Sequence, residues 1–265
     1  MGNDKRTRPL GFFDSGVGGL SVLCHAVSQL PNENFIYYGD SANAPYGTRS
    51  EEEIKNLSLE CGAFLAEKGV KAIVMACNTA TSAAVYLMRE KYQIPVISIE
   101  PAVKPAYAAG NPGKIVVMAT PATIAGKRYQ SLVDRVGCRE QVVDMPCGGL
   151  VELLETGKFD DPAIAEYVRE KLSPLKGQTI GGLVMGCTHY SFVADVIRRE
   201  AQRISDGACE IFDGMFGTIR HLGNILKAEG LDSPGPGGKV EVYTSGDPDS
   251  KAIYEKIIRE KLGRL

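Results

Sequence analysis

Two cysteines, Cys77 and Cys187, occupy matching sequence contexts 110 residues apart. The first ends the apolar run VMAC and precedes Asn-Thr, and the second ends the run VMGC and precedes Thr-His. An apolar run that stops at a polar cluster is typical of a buried β-strand that enters a strand-to-helix turn. At such a turn, the free N–H groups and the dipole of the helix N-terminus favour a thiolate.

The pairing of two equivalent thiols favours one kind of chemistry. Neither belongs to a C-x-x-C pair, which argues against disulfide exchange. Two opposed groups suit a reaction that needs a base on one side of a carbon atom and an acid on the other, such as inversion of a stereocentre. A free cysteine is more often a small buried hydrophobe, but the matched contexts favour reactive roles for Cys77 and Cys187.

Polar residues extend the candidate site around these thiols. His189 follows Cys187 by two residues and is interpreted as a proton donor and acceptor, with a structural or capping histidine as the alternative. Asp14 and Ser15 follow the first apolar run, where the carboxyl end of a strand places polar groups near a ligand. The next residues, GVGG, fail the dinucleotide-binding pattern, so we interpret them as a tight turn with close helix–strand packing.

The other cysteines have no predicted reactive role. Cys24, Cys61, Cys138 and Cys209 are interpreted as core residues, and the sequence leaves Cys147 undecided. The chain has seven cysteines, and none of its three histidines has ligand spacing to a cysteine. The sequence therefore predicts neither a disulfide framework nor a metal site.

Strands and helices alternate along the chain, and this alternation must position the candidate residues. Most predicted strands are continuous apolar runs, which is typical of parallel sheets covered on both faces. The repeated strand–cysteine unit predicts two similar α/β domains. We expect residues 1–100 and 210–265 in the first domain and residues 101–209 in the second, with Glu100-Pro101 as the crossing. The strand ends that could form a site carry residues 14–15, 39–48, 77–79, 120–123 and 187–189.

Charge and hydropathy limit the expected partners. The formal net charge is −2, which gives no electrostatic support for binding nucleic acid or an anionic membrane. No apolar run reaches the length of a membrane span, and the N-terminus lacks the apolar segment and cleavage site of a secretory signal. The sequence predicts a cytoplasmic protein without nucleic-acid or membrane partners.

Five segments resemble those of glutamate racemases, in the same order and over nearly the whole chain. They are FDSGVGGLSVL (13–23), YGDSANAPYGTRS (38–50), ACNTATSAA (76–84), GCTHYSF (186–192) and YTSGDP (243–248). The resemblance implies two doubly wound α/β domains related by a pseudo-two-fold axis, with the substrate between them, and a homodimer. It also implies cofactor-independent interconversion of L- and D-glutamate, the latter for bacterial peptidoglycan.

The resemblance further implies roles for individual residues. Cys77 is expected to deprotonate D-glutamate with the assistance of Asp14. Cys187 is expected to deprotonate L-glutamate with the assistance of His189. Glu155 matches an acidic catalytic position that the family has near the second cysteine. The residues expected to hold the carboxylates and the ammonium of the substrate are Asp14, Ser15, Tyr46, Gly47, Asn78, Thr79, Thr123, Thr188 and His189.

Three other functions are alternatives to glutamate racemisation. A racemase for aspartate or another amino acid of the same superfamily is the nearest alternative, and the intact CNTA and CTHY motifs favour glutamate. A binding role toward DNA gyrase, reported within the family, gains no support from the net charge. A two-lobed periplasmic sensor is disfavoured because no signal sequence is present. Departures from the family pattern before Glu155 and over Asp213–Arg220 leave the dimer mode and regulation open.

Overall fold

Two parallel β-sheets form the framework of the protein. The computed structural model describes residues 4–263. In chain order, the strands within these residues are β1 (Leu10–Asp14), β2 (Phe35–Gly39), β3 (Ala72–Met75), β4 (Val96–Ser98), β5 (Lys114–Ala119), β6 (Val142–Pro146), β7 (Ile180–Met185), β8 (Glu210–Asp213) and β9 (Val240–Thr244). The first sheet has the order β4-β3-β1-β2-β9 and the second β6-β5-β7-β8. Every strand pair is parallel.

The central strands are buried on both faces. All residues of β3 (AIVM) and of β7 (IGGLVM) are buried. Helices on each face remove these side chains from water, which stabilises the fold by roughly 25 cal/mol per Å² of apolar surface. The predicted fold class, α/β with two doubly wound parallel sheets, is confirmed.

Helices cover both sheets. Within the described residues they are α1 (Leu20–Gln29), α2 (Glu51–Glu67), α3 (Asn78–Lys91), α4 (Val103–Ala108), α5 (Pro121–Ala125), α6 (Lys127–Val136), α7 (Leu150–Glu155), α8 (Pro162–Leu172), α9 (Ala194–Gln202), α10 (Gly214–Ala228) and α11 (Pro248–Leu262). Helix α2 begins as its sequence predicts, with a capping box between Ser50 and Glu53. Across residues 4–263, no helix combines the length and the apolar character that a membrane span requires.

The two sheets repeat one strand order. The run β4-β3-β1-β2 of the first sheet corresponds to β8-β7-β5-β6 of the second. Cys77 lies just beyond β3 and Cys187 just beyond β7, so the two thiols occupy equivalent topological positions. The repeat of VMAC and VMGC in the sequence therefore reflects a repeated topology.

Strand β8 belongs to the second sheet, whereas the expected division of the chain assigns it to the first domain. Residues 210–265 were expected in the first domain, but β8 pairs with β7 in the second sheet. Its backbone hydrogen bonds are satisfied there by a parallel neighbour. Strand β9 pairs with β2 in the first sheet. The chain therefore returns to the first sheet after β8, and not before it.

Two helix starts also differ from the sequence patterns. Cys187 is followed by a 3-10 stretch over Thr188–Val193, and not directly by an α-helix. The pattern predicts α10 from Thr218, but the helix begins at Gly214, where the Asp213 side chain accepts a hydrogen bond from Met215 N at 2.9 Å. The sequence pattern misses this start because the first turn contains two glycines, which have low helix propensity.

The two chain crossings between the sheets lie against each other. One passes through Glu100-Pro101 after β4, and the other passes through Asp213-Gly214 after β8. A Cβ atom on Gly214 would lie 2.2 Å from the carbonyl oxygen of Glu100, so glycine is required for this approach. The crossings therefore form one narrow junction between the two halves.

Candidate active site

A small cavity lies where the carboxyl ends of strands from both sheets meet. Cys77 and Cys187 both line it, one from each half. Its volume of about 10 Å³ is at the lower limit of what one water molecule requires. The complete lining consists of Ser15, Pro45, Tyr46, Gly47, Cys77, Asn78, Thr79, Thr120, Val151, Cys187, Thr188 and His189.

Cys77 is the N-cap residue of α3, and its sulfur accepts a hydrogen bond from Ala80 N at 3.4 Å. Its thiol donates to Ser15 Oγ at 3.9 Å. Burial, and after it the negative charge of Asp14, raises the pKa of Cys77 above its ordinary value. Burial of Cys77 therefore opposes the thiolate that its place at a helix N-terminus favours.

Cys187 has a different neighbour. Its sulfur lies 3.6 Å from Nδ1 of His189, and Nε2 of that ring lies 2.5 Å from Oε1 of Glu155. A carboxylate only accepts, so Nε2 carries the proton of this contact, and Nδ1 is the ring nitrogen that faces the thiol. Glu155 also accepts a hydrogen bond from Val17 N at 3.1 Å, across the two halves.

The charge of His189 depends on this arrangement. Burial alone would lower the pKa of His189. The negative charges of Glu155 and Cys187, together with the hydrogen bonds to both, outweigh burial and raise the pKa well above its ordinary value. His189 can therefore hold a proton next to Cys187 at neutral pH.

Asp14, at the end of β1, is fully buried and connects both halves. Its Oδ2 accepts a hydrogen bond from Thr188 Oγ1 at 3.0 Å, and its Oδ1 lies 3.5 Å from Ser15 Oγ. Burial raises the pKa of Asp14, although the positive charge of His189 opposes the rise. Ser15 thus lies between the Cys77 thiol and a carboxyl group of raised pKa.

Three threonine hydroxyls form a second connection between the halves. Thr79 Oγ1 lies 2.9 Å from Thr120 Oγ1 and 3.2 Å from Thr123 Oγ1. Thr120 and Thr123 are themselves 3.0 Å apart. Because each hydroxyl both donates and accepts, this group can re-orient to bind a carboxylate.

Asn78 presents a side-chain amide without a protein partner. It is 4% exposed, and among residues 4–263 neither its Nδ2 nor its Oδ1 has a hydrogen-bond partner. An unpaired buried amide is costly. Its position in the cavity lining gives it both a donor and an acceptor for a polar ligand.

The sequence and the fold match one enzyme family. The family model described as Asp/Glu/hydantoin racemase matches residues 20–219. The chain belongs to this racemase family. It is 48% identical over 250 residues to glutamate racemase of Clostridium perfringens (strain SM101 / Type A). The aligned region covers 94% of this chain and 92% of that protein.

Solved structures of racemases share the fold. Glutamate racemase from Thermus thermophilus in complex with β-chloro-D-alanine superposes with a TM-score of 0.76 at 33% identity, covering 95% of this chain and 93% of that one. Glutamate racemase from Francisella tularensis subsp. tularensis SCHU S4 in complex with D-glutamate superposes with a TM-score of 0.81 at 30% identity, covering 96% and 94%. The racemase assignment makes this protein an isomerase, as the sequence predicts.

The glycine turn of this racemase lies against Glu155 and His189 of the other half. A Cβ atom on Gly16 would lie 1.8 Å from Glu155 Oε1, and one on Gly18 would lie 2.3 Å from His189 Nδ1. Only Gly19 has the predicted role of close helix–strand packing, since its Cβ would lie 2.5 Å from Asp14 Cβ. The turn therefore serves mainly the contact between the two halves.

Most of the residues predicted for the site line the cavity, and Asp14, Thr123 and Glu155 lie directly behind it. The Tyr46 hydroxyl donates to Asp40 Oδ2 at 2.5 Å, which leaves the ring and the backbone of Tyr46 to the cavity. Gly47 permits close packing, because its Cβ would lie 2.8 Å from Thr120 Cβ.

Pro45 and Thr120 line the cavity and fall within the strand-end ranges 39–48 and 120–123 that the sequence indicates, although neither was singled out as a site residue. Val151, on α7, also lines the cavity and was not predicted. Cys147, undecided from the sequence, is 1% exposed in the core of the second half, and its thiol donates to Met145 O at 3.3 Å. In the part of the chain that is described, no three His, Cys, Asp or Glu side chains cluster as metal ligands.

Proposed function

We propose that this protein interconverts L- and D-glutamate with two cysteine acid–base groups and no cofactor. The observation that carries the proposal is that Cys77 and Cys187 line one cavity from opposite halves. Each thiol has its own group for proton exchange, Asp14 through Ser15 for Cys77 and His189 for Cys187. The relatives reported above, named glutamate racemases, support glutamate as the substrate.

In the L-to-D direction, Cys187 first passes its thiol proton to Nδ1 of His189. The resulting thiolate takes the Cα proton of L-glutamate, and the electron pair of the broken C–H bond remains on the substrate as a carbanion. Cys77, which its burial keeps protonated, gives its proton to the opposite face. Cys187 ends as a thiol, as it began, whereas His189 holds one additional proton and Cys77 is a thiolate. One proton must therefore pass from His189 to Cys77 by way of solvent before the next turnover.

In the D-to-L direction, the same groups exchange roles. Cys77 must lose its proton before it can act as the base, and the route through Ser15 leads to Asp14. Cys187 then protonates the opposite face, and His189 can return a proton to it. The two directions therefore use chemically different proton reservoirs.

The lining favours a ligand that carries carboxylates and an ammonium group. The lining residues include no lysine or arginine, so hydroxyl, amide and backbone groups must bind the substrate carboxylates. Asn78 and the hydroxyls of Thr79 and Thr188 supply such groups. Without a cationic clamp, hydrogen bonds that strengthen as negative charge develops on the α-carboxylate stabilise the carbanion.

The experiment that tests this proposal is exchange at Cα in D₂O. We expect the folded, reduced protein to replace the Cα hydrogen of both glutamate enantiomers with deuterium, without added pyridoxal phosphate. Because the acid and the base are separate groups, D-glutamate formed in a first turnover from L-glutamate carries deuterium, while unreacted L-glutamate does not. Proton NMR and chiral chromatography measure both quantities.

Exchange of neither enantiomer by folded, reduced protein rules out the proposal. Exchange of aspartate at the rate of glutamate would instead favour the alternative substrate. A role in peptidoglycan synthesis, a cytoplasmic location and a homodimer belong to the same proposal, and they rest on the resemblance to glutamate racemases. Sedimentation at twice the chain mass of 28.5 kDa would support the dimer.

A further inference from the structure

Arg128, on α6 of the second half, contacts two elements that belong to the first half. Its Nη2 makes an ion pair with Glu100 Oε1 at the chain crossing. Its Nη1 donates to the hydroxyl of Tyr86, on α3, at 3.1 Å, and the guanidinium carbon lies 5.5 Å from the centroid of that ring. Tyr86 is 70% exposed, so core packing does not account for its position.

These contacts join the elements whose relative position sets the cavity. Helix α3 begins directly after Cys77 and carries Asn78 and Thr79. Helix α6 directly follows α5, which carries Thr123. The cavity of about 10 Å³ cannot admit an amino acid, so the halves must separate for one to enter. Any such separation about the junction at Glu100 changes the distance between α3 and α6.

We propose that Arg128 is a positioning residue, which clamps α3 and the Glu100 crossing to α6 and so holds the two thiols in the closed arrangement. The expected effect of Arg128 on turnover depends on the proposed function. Its structural part, the balance between closed and open forms, is measurable without a substrate.

The expected size of the effect follows from the exposure of the ion pair. The Arg128 and Glu100 side chains are 18% and 33% exposed, so water screens the pair only in part. Loss of one partly shielded charged hydrogen bond changes a conformational equilibrium on the order of fivefold. The open population should rise by this factor when Arg128 is replaced by alanine.

Alkylation of the buried thiols measures the open population. Cys77 and Cys187 are 5% and 7% exposed, so iodoacetamide should reach them chiefly in the open form. We expect Arg128→Ala to increase the alkylation rates of both thiols about fivefold, read peptide by peptide by mass spectrometry. We also expect kcat to fall more than KM changes, because the closed complex is less populated.

Two variants and two cysteines serve as controls. Arg139→Ala removes an arginine of the same half whose contacts, with Gln130, Asp134 and Asp144, stay within that half, and it should leave both rates unchanged. Tyr86→Phe removes the hydrogen bond but keeps the ring, and a smaller increase is expected. Cys61 and Cys209 lie in the two cores and should keep their wild-type rates.

Unchanged rates at both Cys77 and Cys187 in Arg128→Ala would overturn the proposal. A comparable increase at Cys209 would also overturn it, because it would show a general loosening of the second half. Alkylation does not depend on turnover. A protein that fails to racemise glutamate yet shows the selective increase would refute the proposed function and leave the clamp intact.

Discussion

The two thiols are equivalent in topology but differ in their chemical surroundings. Cys77 faces Ser15 and the charge of Asp14, and its pKa is raised by burial and by that charge. Cys187 lies 3.6 Å from His189, whose imidazole can accept its proton. The two thiols therefore differ in the group beside them, which is a carboxyl group reached through Ser15 for Cys77 and an imidazole for Cys187.

Replacement of either cysteine by serine should abolish racemisation. A serine hydroxyl is a much weaker acid than a thiol, so it neither removes nor delivers the Cα proton efficiently. We expect kcat to fall by at least about 10²-fold in Cys77→Ser and in Cys187→Ser, measured by polarimetry. Cys24→Ser, at a buried site outside the cavity, controls for the loss of a buried thiol. Normal turnover by either active-site variant would contradict the two-base mechanism.

The link between Glu155 and His189 predicts a change in pH dependence. A histidine whose folded pKa is raised contributes stability below its ordinary pKa of 6.5, and this contribution is lost as the pH rises through the raised value. Glu155→Gln removes a negative charge beside His189, so the pKa of His189 should fall. The stability that the protonated histidine contributes should then be lost at a lower pH than in the wild type. Turnover should fall on the order of tenfold, because the imidazole loses its orienting partner.

NMR titration of the histidine ring signals measures this change. His25 contacts Phe216, edge to face at 4.9 Å, and lies outside the cavity, so its titration should be the same in both proteins. A His189 pKa that is equal in wild type and Glu155→Gln would show that Glu155 does not control the histidine.

At the scale of elements, the glycine turn before α1 packs directly against the 3-10 stretch after Cys187. The turn lies so close to Glu155 and His189 that Gly16 and Gly18 have no room for a side chain. The hydrogen bond from Val17 N to Glu155 fixes the same contact. The turn thus orients the carboxylate that orients the histidine, although it belongs to the other half.

Gly16→Ala should therefore act through Glu155. Its Cβ would lie 1.8 Å from Glu155 Oε1, and the carboxylate, at the end of a flexible side chain, should move away. We expect reduced turnover and a lowered His189 pKa with a small loss of stability, about 1 kcal/mol. The effects of Gly16→Ala and Glu155→Gln should not add, because both remove one interaction.

The matched control is Gly217→Ala. A Cβ at this position in α10 meets no atom within 4 Å, so the helix should gain up to about 1 kcal/mol of stability and keep its activity. Additive losses of activity in the Gly16→Ala, Glu155→Gln double variant would contradict the prediction that Gly16→Ala acts through Glu155.

At the scale of the whole molecule, each half supplies an incomplete site. The first half contributes Cys77, Ser15 and Asn78, and the second contributes Cys187 and His189. Hydrogen bonds between the halves, such as the one from Thr188 to Asp14, involve groups that have roles in the proposed function. Entry of a substrate must therefore break these hydrogen bonds, together with the contacts that Arg128 makes with Tyr86 and Glu100.

The sequence by itself determined the parallel α/β architecture and the repeated strand–cysteine unit. Apolar runs and turn residues are local, so their pattern can be read without knowledge of the packing. It also indicated Cys77 and Cys187 as a pair, because both thiols follow equivalent strands. The end of a predicted strand placed Asp14 near a ligand, whereas the expected roles of Asp14 and Glu155 came from the family resemblance.

Only the tertiary structure decided the hydrogen-bond partners of the polar groups around the two thiols. Glu155 and His189 are 34 residues apart, and Asp14 and Thr188 are 174 residues apart. Contacts over such separations depend on how the two halves pack, which no local periodicity specifies. The same packing buries Cys77 and raises its pKa, which opposes the thiolate that its place at a helix N-terminus favours.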